Sequence, residues 1–325
     1  GSCIRVCIAD AGLRGLEVAA GKIFGAGNDA VLYIWDLSTT SQDPLAADRL
    51  ARGGLTMVAV DGNKVYCSSS DNVCRIWLKA STPGAAQAAA AGGGDTELGE
   101  KGVDMLKEEE EEEEESAPIG EEGSTQSLNE FRDHVGGVHA VCVHNGIVYS
   151  GGVDNTVLCR PINPEDERLG PGDQGGEKMY SLKLAGHSDR VLAVVMAGDG
   201  EFLCSASADC LIIKWDATTG EKIAELTGHT DWVSCLAEHE GNLFSGSWDN
   251  SVRKWDVSAD KFISEFVGHQ DPVTCLAVSG EVLLSGSRDC TVRAWKVDSG
   301  ECIKVYDGHT ALVSAVIAAD PVMYT

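Results

Sequence analysis

Apolar and polar residues alternate in a recurring segment of the chain: LRGLEVA, LTMVAVD, VHAVCVH, VLAVVMA, VSCLAEH, VTCLAVS and LVSAVIA. Alternation with period two marks a half-buried strand, and each segment leads into a second apolar run and then a turn carrying Gly, Asp or Asn. No stretch between them repeats at 3.6 residues, so the chain is expected to be all-β. Seven segments predict seven units. One such unit cannot cover both faces of its own sheet, so the units must stack.

The units keep a fixed step. Gly-His dipeptides end at His187, His229, His269 and His309, and Trp215, Trp255 and Trp295 follow the first three, each with an Asp six positions earlier: Asp209, Asp249 and Asp289. The same Asp-to-Trp spacing joins Asp29 to Trp35 and Asp71 to Trp77, while Asp154 meets Arg160.

Gly-His in register with Trp at this spacing resembles the tryptophan-aspartate (WD) repeat family of β-propellers. The resemblance covers the chain apart from two insertions. It implies a seven-bladed propeller of four-stranded antiparallel blades, with the last blade incomplete. The chain is expected to be a piece of a longer protein, and residues 3 to 8 to close the ring against strands from 311 onward.

The resemblance also implies a hydrogen-bonded tetrad in each complete repeat. The residues are His187, Ser205, Asp209 and Trp215; His229, Ser245, Asp249 and Trp255; and His269, Ser285, Asp289 and Trp295. A buried indole N–H, imidazole and carboxylate each need a partner, and a closed relay gives one to all. A hydrolytic triad would not be copied three times along one chain, so these residues are read as structural. Towards the N-terminus the set thins: His134, Ser150 and Asp154 lack the Trp, and Ala9 and Ala51 stand in the His position. Those units are expected to be the less rigid half. GAGNDA, Gly25 to Ala30, fits a dinucleotide fingerprint but lies where the other units turn, with no helix pattern after it, so its glycines are assigned to the turn. No catalytic, cofactor or metal site is expected.

In such a propeller two positions per unit reach the top surface: the third residue after the His, and the residue before the Asp. The first holds Gly137, Arg190, Trp232, Pro272 and Leu312; the second holds Ser70, Val153, Ala208, Trp248 and Arg288. Exposed Trp and Arg are the residues that dominate interfaces. Arg190, Trp232, Trp248, Pro272, Arg288 and Leu312 therefore form the candidate partner site.

Charge sharpens the domain picture. The net charge is −26, and residues 80 to 130 carry fifteen acids against two bases. An insertion at about 80–126 includes the run Glu108 to Glu115, and a second spans 163–177. Both are expected to be disordered within a single 1–325 propeller. The acidic run is either a solvated spacer or a tether for a basic protein. The charge opposes nucleic acid or anionic membrane as a direct partner. Twelve cysteines scattered through strand-like segments read as reduced core residues, which points to cytoplasm or nucleus. The expected function is a non-catalytic scaffold recognising a protein or peptide, within a multiprotein complex. Alternatives are the targeting propeller of a larger enzyme, of ubiquitin-ligase or myosin heavy chain kinase type, and a ribosome-biogenesis or chromatin assembly factor.

Overall fold

The alternating segments become the first strands of separate sheets. The computed structural model describes residues 4–5, 12–38, 44–62, 64–78, 129–162, 182–319 and 322–324. A short strand β1 (Ile4–Arg5) precedes the first sheet, which comprises β2 (Leu13–Ala19), β3 (Lys22–Gly27), β4 (Val31–Asp36) and β5 (Ala46–Arg49). The second has β6 (Leu55–Asp61), β7 (Lys64–Ser69), β8 (Cys74–Leu78) and β9 (Asn129–Phe131). The third has β10 (Val138–His144), β11 (Ile147–Gly152), β12 (Thr156–Pro161) and β13 (Leu182–Ala185). The fourth runs from β14 (Val191–Ala197) through β15 (Phe202–Ser207) and β16 (Ile212–Asp216) to β17 (Lys222–Leu226). The fifth contains β18 (Val233–His239), β19 (Asn242–Ser247), β20 (Ser251–Asp256) and β21 (Lys261–Val267). The sixth contains β22 (Val273–Ser279), β23 (Val282–Ser287), β24 (Val292–Lys296) and β25 (Cys302–Tyr306).

The expectation of seven four-stranded blades is corrected: the propeller has six. The seventh alternating segment yields only β26 (Ile317–Ala319), which pairs with β27 (Val322–Tyr324), and β1 lies on the far side of β27 in a three-stranded sheet. The β1–β27 pair is parallel, Ile4 opposite Met323, whereas every pair within the six blades is antiparallel. In a meander the second and fourth strands run the same way, so β1 placed directly against a second strand makes a parallel pair. First strands pack side by side around the ring, and β26 sits between β22 and β2.

Each seam between neighbouring sheets encloses its own apolar cluster; Leu203, Val191 and Trp215 with Tyr149 and Val157 fill the one between the third and fourth blades. Full burial of an aromatic or branched side chain contributes about 1.5–3 kcal/mol. Cys67, Cys74, Cys159, Cys204 and Cys275 are buried and free, as the scatter of cysteines implied, and burial pushes the Cys204 and Cys275 thiols up to about 12.

Every first strand is bulged near its start, between Leu13 and Gly15, Leu55 and Met57, Val138 and Ala140, Val191 and Ala193, Val233 and Cys235, and Val273 and Cys275. A bulge re-aims its extra residue. Thr56, Ser234 and Thr274 use it to donate a hydroxyl to the next sheet, at the carbonyls of Val138, Val273 and Val313, and Ser314 does the same to Leu13. Lower in the seams, buried Lys214 donates to the Val257 carbonyl and Asp260 at 2.7 Å each, tying the fourth blade to the fifth.

The turn between second and third strands places the residue after the Asp at positive φ: Ala30, Asn72, Asn155, Cys210, Asn250 and Cys290, between 64° and 71°. Asn tolerates this region and Cys does not. Asn155 and Asn250 also donate their side-chain amides across the seam to the Ser188 and Gln270 carbonyls. Cys290→Asn is therefore expected to stabilise the sixth blade by about 1 kcal/mol, by easing the turn and offering a donor to the Thr310 carbonyl, the equivalent acceptor. An unchanged or lower urea midpoint would contradict it.

Residues 80–126 and 163–177 lie outside the described residues, as does Ala9. The strands flanking the two insertions are third and fourth in their sheets, β8 with β9 and β12 with β13.

Candidate functional site

The tetrads form as the spacing required. Trp255 Nε1 donates to Ser245 Oγ at 2.8 Å, Ser245 Oγ lies 2.8 Å from His229 Nε2, and His229 Nδ1 lies 2.7 Å from Asp249 Oδ2. Indole can only donate, so the serine hydroxyl passes its hydrogen to Nε2 and Nδ1 donates to the carboxylate. The same chain of contacts joins Trp215, Ser205, His187 and Asp209, and Trp295, Ser285, His269 and Asp289. Ser205, Ser245 and Ser285 are fully buried with both hydroxyl roles used. No substrate carbonyl can reach them, which supports the structural reading. Glycine suits the position before these histidines: φ at Gly228 is +146°, and an added Cβ at Gly186 or Gly268 would meet the Trp215 or Trp295 ring at 2.9 or 3.0 Å.

Each Asp also accepts the amide after the His: Ser188 to Asp209, Thr230 to Asp249 and Gln270 to Asp289, at 2.9 to 3.1 Å. Although burial opposes it, the Thr291 hydroxyl, the Gln270 amide and the His269 ring hold the Asp289 carboxyl down at about 2, and the His229 ring with Ser251 holds the Asp249 carboxyl lower still.

Where the histidine is missing, another residue serves the Asp. In the first blade Tyr33 donates its hydroxyl to Asp29 Oδ2 at 2.6 Å, and in the second Arg75 pairs with Asp71 at 2.9 and 3.0 Å. Both stand four positions after their Asp, a signal present in the sequence and not read there. In the third blade His134 keeps Asp154 and Ser150, while Arg160, in the Trp position, turns to Asp133 at 2.5 Å and lies over Phe131. A second serine was also missed. Ser207, Ser247 and Ser287 donate to the carbonyls of Asp189, Asp231 and Asp271 and accept the amides of Asp209, Asp249 and Asp289. They fix the top loops to the turns.

That fixing brings the two top positions of each blade together. The amide of the second donates to the carbonyl of the first: Ala208 to Arg190, Trp248 to Trp232, and Arg288 to Pro272, at 2.9 to 3.1 Å. Trp232 and Trp248 thus become neighbours, with ring centroids 4.5 Å apart and a 38° tilt. The Arg190 guanidinium lies over Trp232 at 5.0 Å, and Arg288 lies over Trp248 at 5.2 Å. Four of the six candidate residues form one row, guanidinium, indole, indole, guanidinium, across the fourth, fifth and sixth blades. Pro272 adjoins it through the Arg288 amide, and Leu312, 49% exposed, stands beyond the sixth blade outside the row. Both indoles are half-buried and Arg288 is exposed. Gly25 to Ala30 ends β3 and turns into β4, so the fingerprint-like glycines serve the turn. Among the described residues no group of His, Cys, Asp and Glu is arranged to hold a metal, and no helix is long and apolar enough to cross a membrane.

Antiparallel sheets packed side by side by their first strands define a β-propeller. Residues 176–216, 220–256 and 260–296 match the family model "WD domain, G-beta repeat", so these three stretches are WD repeats within the propeller. The chain is 32% identical over 108 residues to the Arabidopsis thaliana U3 snoRNP-associated protein-like EMB2271, covering 31% of this chain and 22% of that one. Over 57 residues it is 40% identical to Mus musculus U3 small nucleolar RNA-interacting protein 2, covering 18% and 12% of the two chains. An uncharacterized WD repeat-containing protein of Schizosaccharomyces pombe, C126.01c, is 38% identical over 84 residues, 22% of this chain and 23% of that one. The similarity thus spans less than a quarter of these relatives' lengths. A crystal structure of the computationally designed Ika8 protein shares the fold, with a TM-score of 0.65 and 19% identity over 99% of this chain and 96% of that one.

Proposed function

We propose that this propeller is a scaffold that recognises a protein partner on its top face through Arg190, Trp232, Trp248 and Arg288, within a nuclear ribonucleoprotein complex. The observation that carries the reading is the stacked row. It places two large aromatic and two cationic groups side by side on one exposed rim, where each buries much area for little rotamer entropy. The repeat does not require them, since the same positions hold Gly137, Ala208 and Val153 in other blades. The relatives named for U3 association favour the ribosome-biogenesis alternative over a ubiquitin-ligase or kinase propeller. The chain's charge of −26 makes a protein, rather than the RNA itself, its direct contact in such a particle.

Affinity purification of the tagged protein from its own cells, probed for U3 small nucleolar RNA and for bound proteins, tests both parts. The RNA is expected to co-purify, and the double variant Trp232→Ala, Trp248→Ala to lose most of it while remaining folded. Retention of every partner by the double variant would remove the top-face site; absence of the RNA from the wild-type eluate would remove the ribonucleoprotein setting.

A further inference from the structure

The chemistry of the partner can be taken further, resting on the top-face reading. Arg288 forms no ion pair among the described residues, nor does Arg14, which donates only to the Asn28 side-chain carbonyl at 3.3 Å; the ion pair of Arg190 is a distant one, Nε to Asp189 Oδ1 at 3.7 Å. In a chain with twice as many acids as bases this is unusual. Asp189 and Asp231 do not fill the gap, because their Oδ1 atoms accept the amides of Arg190 and Trp232 at 2.7 Å, behind the row. Asp271, exposed on the next loop, is the one nearby acid without such a bond among those described.

A fourth basic group lies on the third blade. His139 occupies the bulge of β10, where Thr56 and Ser234 carry their cross-seam hydroxyls, and its Nε2 is buried without a hydrogen-bond partner. Burial first, then the charges of Arg190 and Arg14, holds its pKa down.

A guanidinium stacked on an indole keeps its N–H edge free and has already lost water from one face, which suits a carboxylate. The stack also discriminates. Each indole is already engaged by its neighbour and by a guanidinium, which leaves less of its surface for a nucleobase, and base stacking on aromatics is the usual means of holding single-stranded RNA. The steps of 5.0, 4.5 and 5.2 Å set the two guanidiniums no more than about 15 Å apart. In an extended peptide, residues four apart point the same way and lie about 13 Å from each other.

We propose that the top rim binds an extended acidic peptide, with Arg288 and Arg190 each taking a carboxylate from residues four apart, the intervening residue that faces the rim lying along the indole edges.

Fluorescence anisotropy on the full chain tests this with labelled Glu-Thr-Val-Thr-Glu, the Gln-Thr-Val-Thr-Gln and Lys-Thr-Val-Thr-Lys counterparts, Glu-Glu-Thr-Val-Thr, and a single-stranded oligouridine. The spaced Glu peptide is expected to bind at least 10-fold more tightly than the Gln, Lys and adjacent-Glu peptides. Arg190→Gln and Arg288→Gln are each expected to weaken it about 10-fold, and raising the salt should weaken it further. Equal binding of Glu and Gln peptides, insensitivity to both arginine changes, or preference for oligouridine would overturn the proposal. If the Gln peptide binds as well and Trp248→Ala abolishes both, the top face is a site but not an anionic one. If no peptide binds, the acidic-peptide proposal fails, and the co-purification with the double tryptophan variant then decides whether the top-face reading falls with it.

Discussion

Trp255→Ala is expected to cost about 3–5 kcal/mol, lowering the melting temperature by roughly 10 °C. The indole is 2% exposed, packs on Phe262 at 5.7 Å and on His229 at 6.3 Å, and fills the seam with Leu243, Val233 and Ile212. Removing it opens a cavity in the seam between two sheets, and takes from Ser245 Oγ the indole N–H that it accepts. Trp255→Phe separates the two effects. It keeps most of the volume and loses only the N–H, so it should cost about 1–2 kcal/mol. Urea titration of both variants checks the pair. Equal losses would show that the hydrogen bond and not the packing carries the cost, and losses below 1 kcal/mol for the alanine variant would contradict the seam as the seat of stability.

Acid should unfold the propeller earlier than its composition suggests. Asp71, Asp154, Asp209, Asp249 and Asp289 are all held below the usual carboxylate value of 3.8 by their hydrogen-bonded partners, against the opposing cost of burial. The folded chain thus prefers the ionised form more strongly than the unfolded chain does. Their contribution is complete above about pH 4–5 and is lost as the pH falls through the folded values, about 2 for Asp289. Allowing for solvent screening, each contributes on the order of 1 kcal/mol, so together they amount to a few. His269 acts in the same direction from higher pH. Burial lowers its pKa below 6.5, so the folded state prefers the neutral ring and acidification towards pH 5 already favours unfolding. The urea midpoint is expected to fall steeply from pH 4 to 2, while between pH 7 and 5 the His269 effect is opposed by Glu17, whose burial raises its carboxyl to about 7 so that acid favours the folded state there. A midpoint unchanged between pH 7 and 3 would contradict the assignment of these aspartates as stabilising.

The strands and the three complete tetrads were legible because both obey fixed spacings: side chains alternate on a strand, and a hydrogen-bonded set must recur at the same offsets to recur in space. The top-loop positions could be counted from the His and the Asp in the same way, but the count does not tell which of their side chains meet. The number of complete sheets was not legible. An alternating segment such as LVSAVIA announces a first strand, and whether three more follow depends on residues elsewhere. Tyr33 and Arg75 were missed because the search looked for a histidine where the Asp needs only a donor, from whichever side. The stacking of Arg190 on Trp232 and of Arg288 on Trp248 crosses seams between blades, and sequence spacing within a repeat carries no information about the distance to the next.

The parallel pairing of β1 with β27 has a mechanical consequence. Both strands run in the same direction, so tension drawn on the chain ahead of Ile4 and beyond Tyr324 pulls them along their length in opposite senses. The backbone bonds of the pair are then loaded together in shear instead of being peeled one at a time, as they would be at a hairpin end. The ring should yield to such force in one abrupt step, with the sheets released only afterwards.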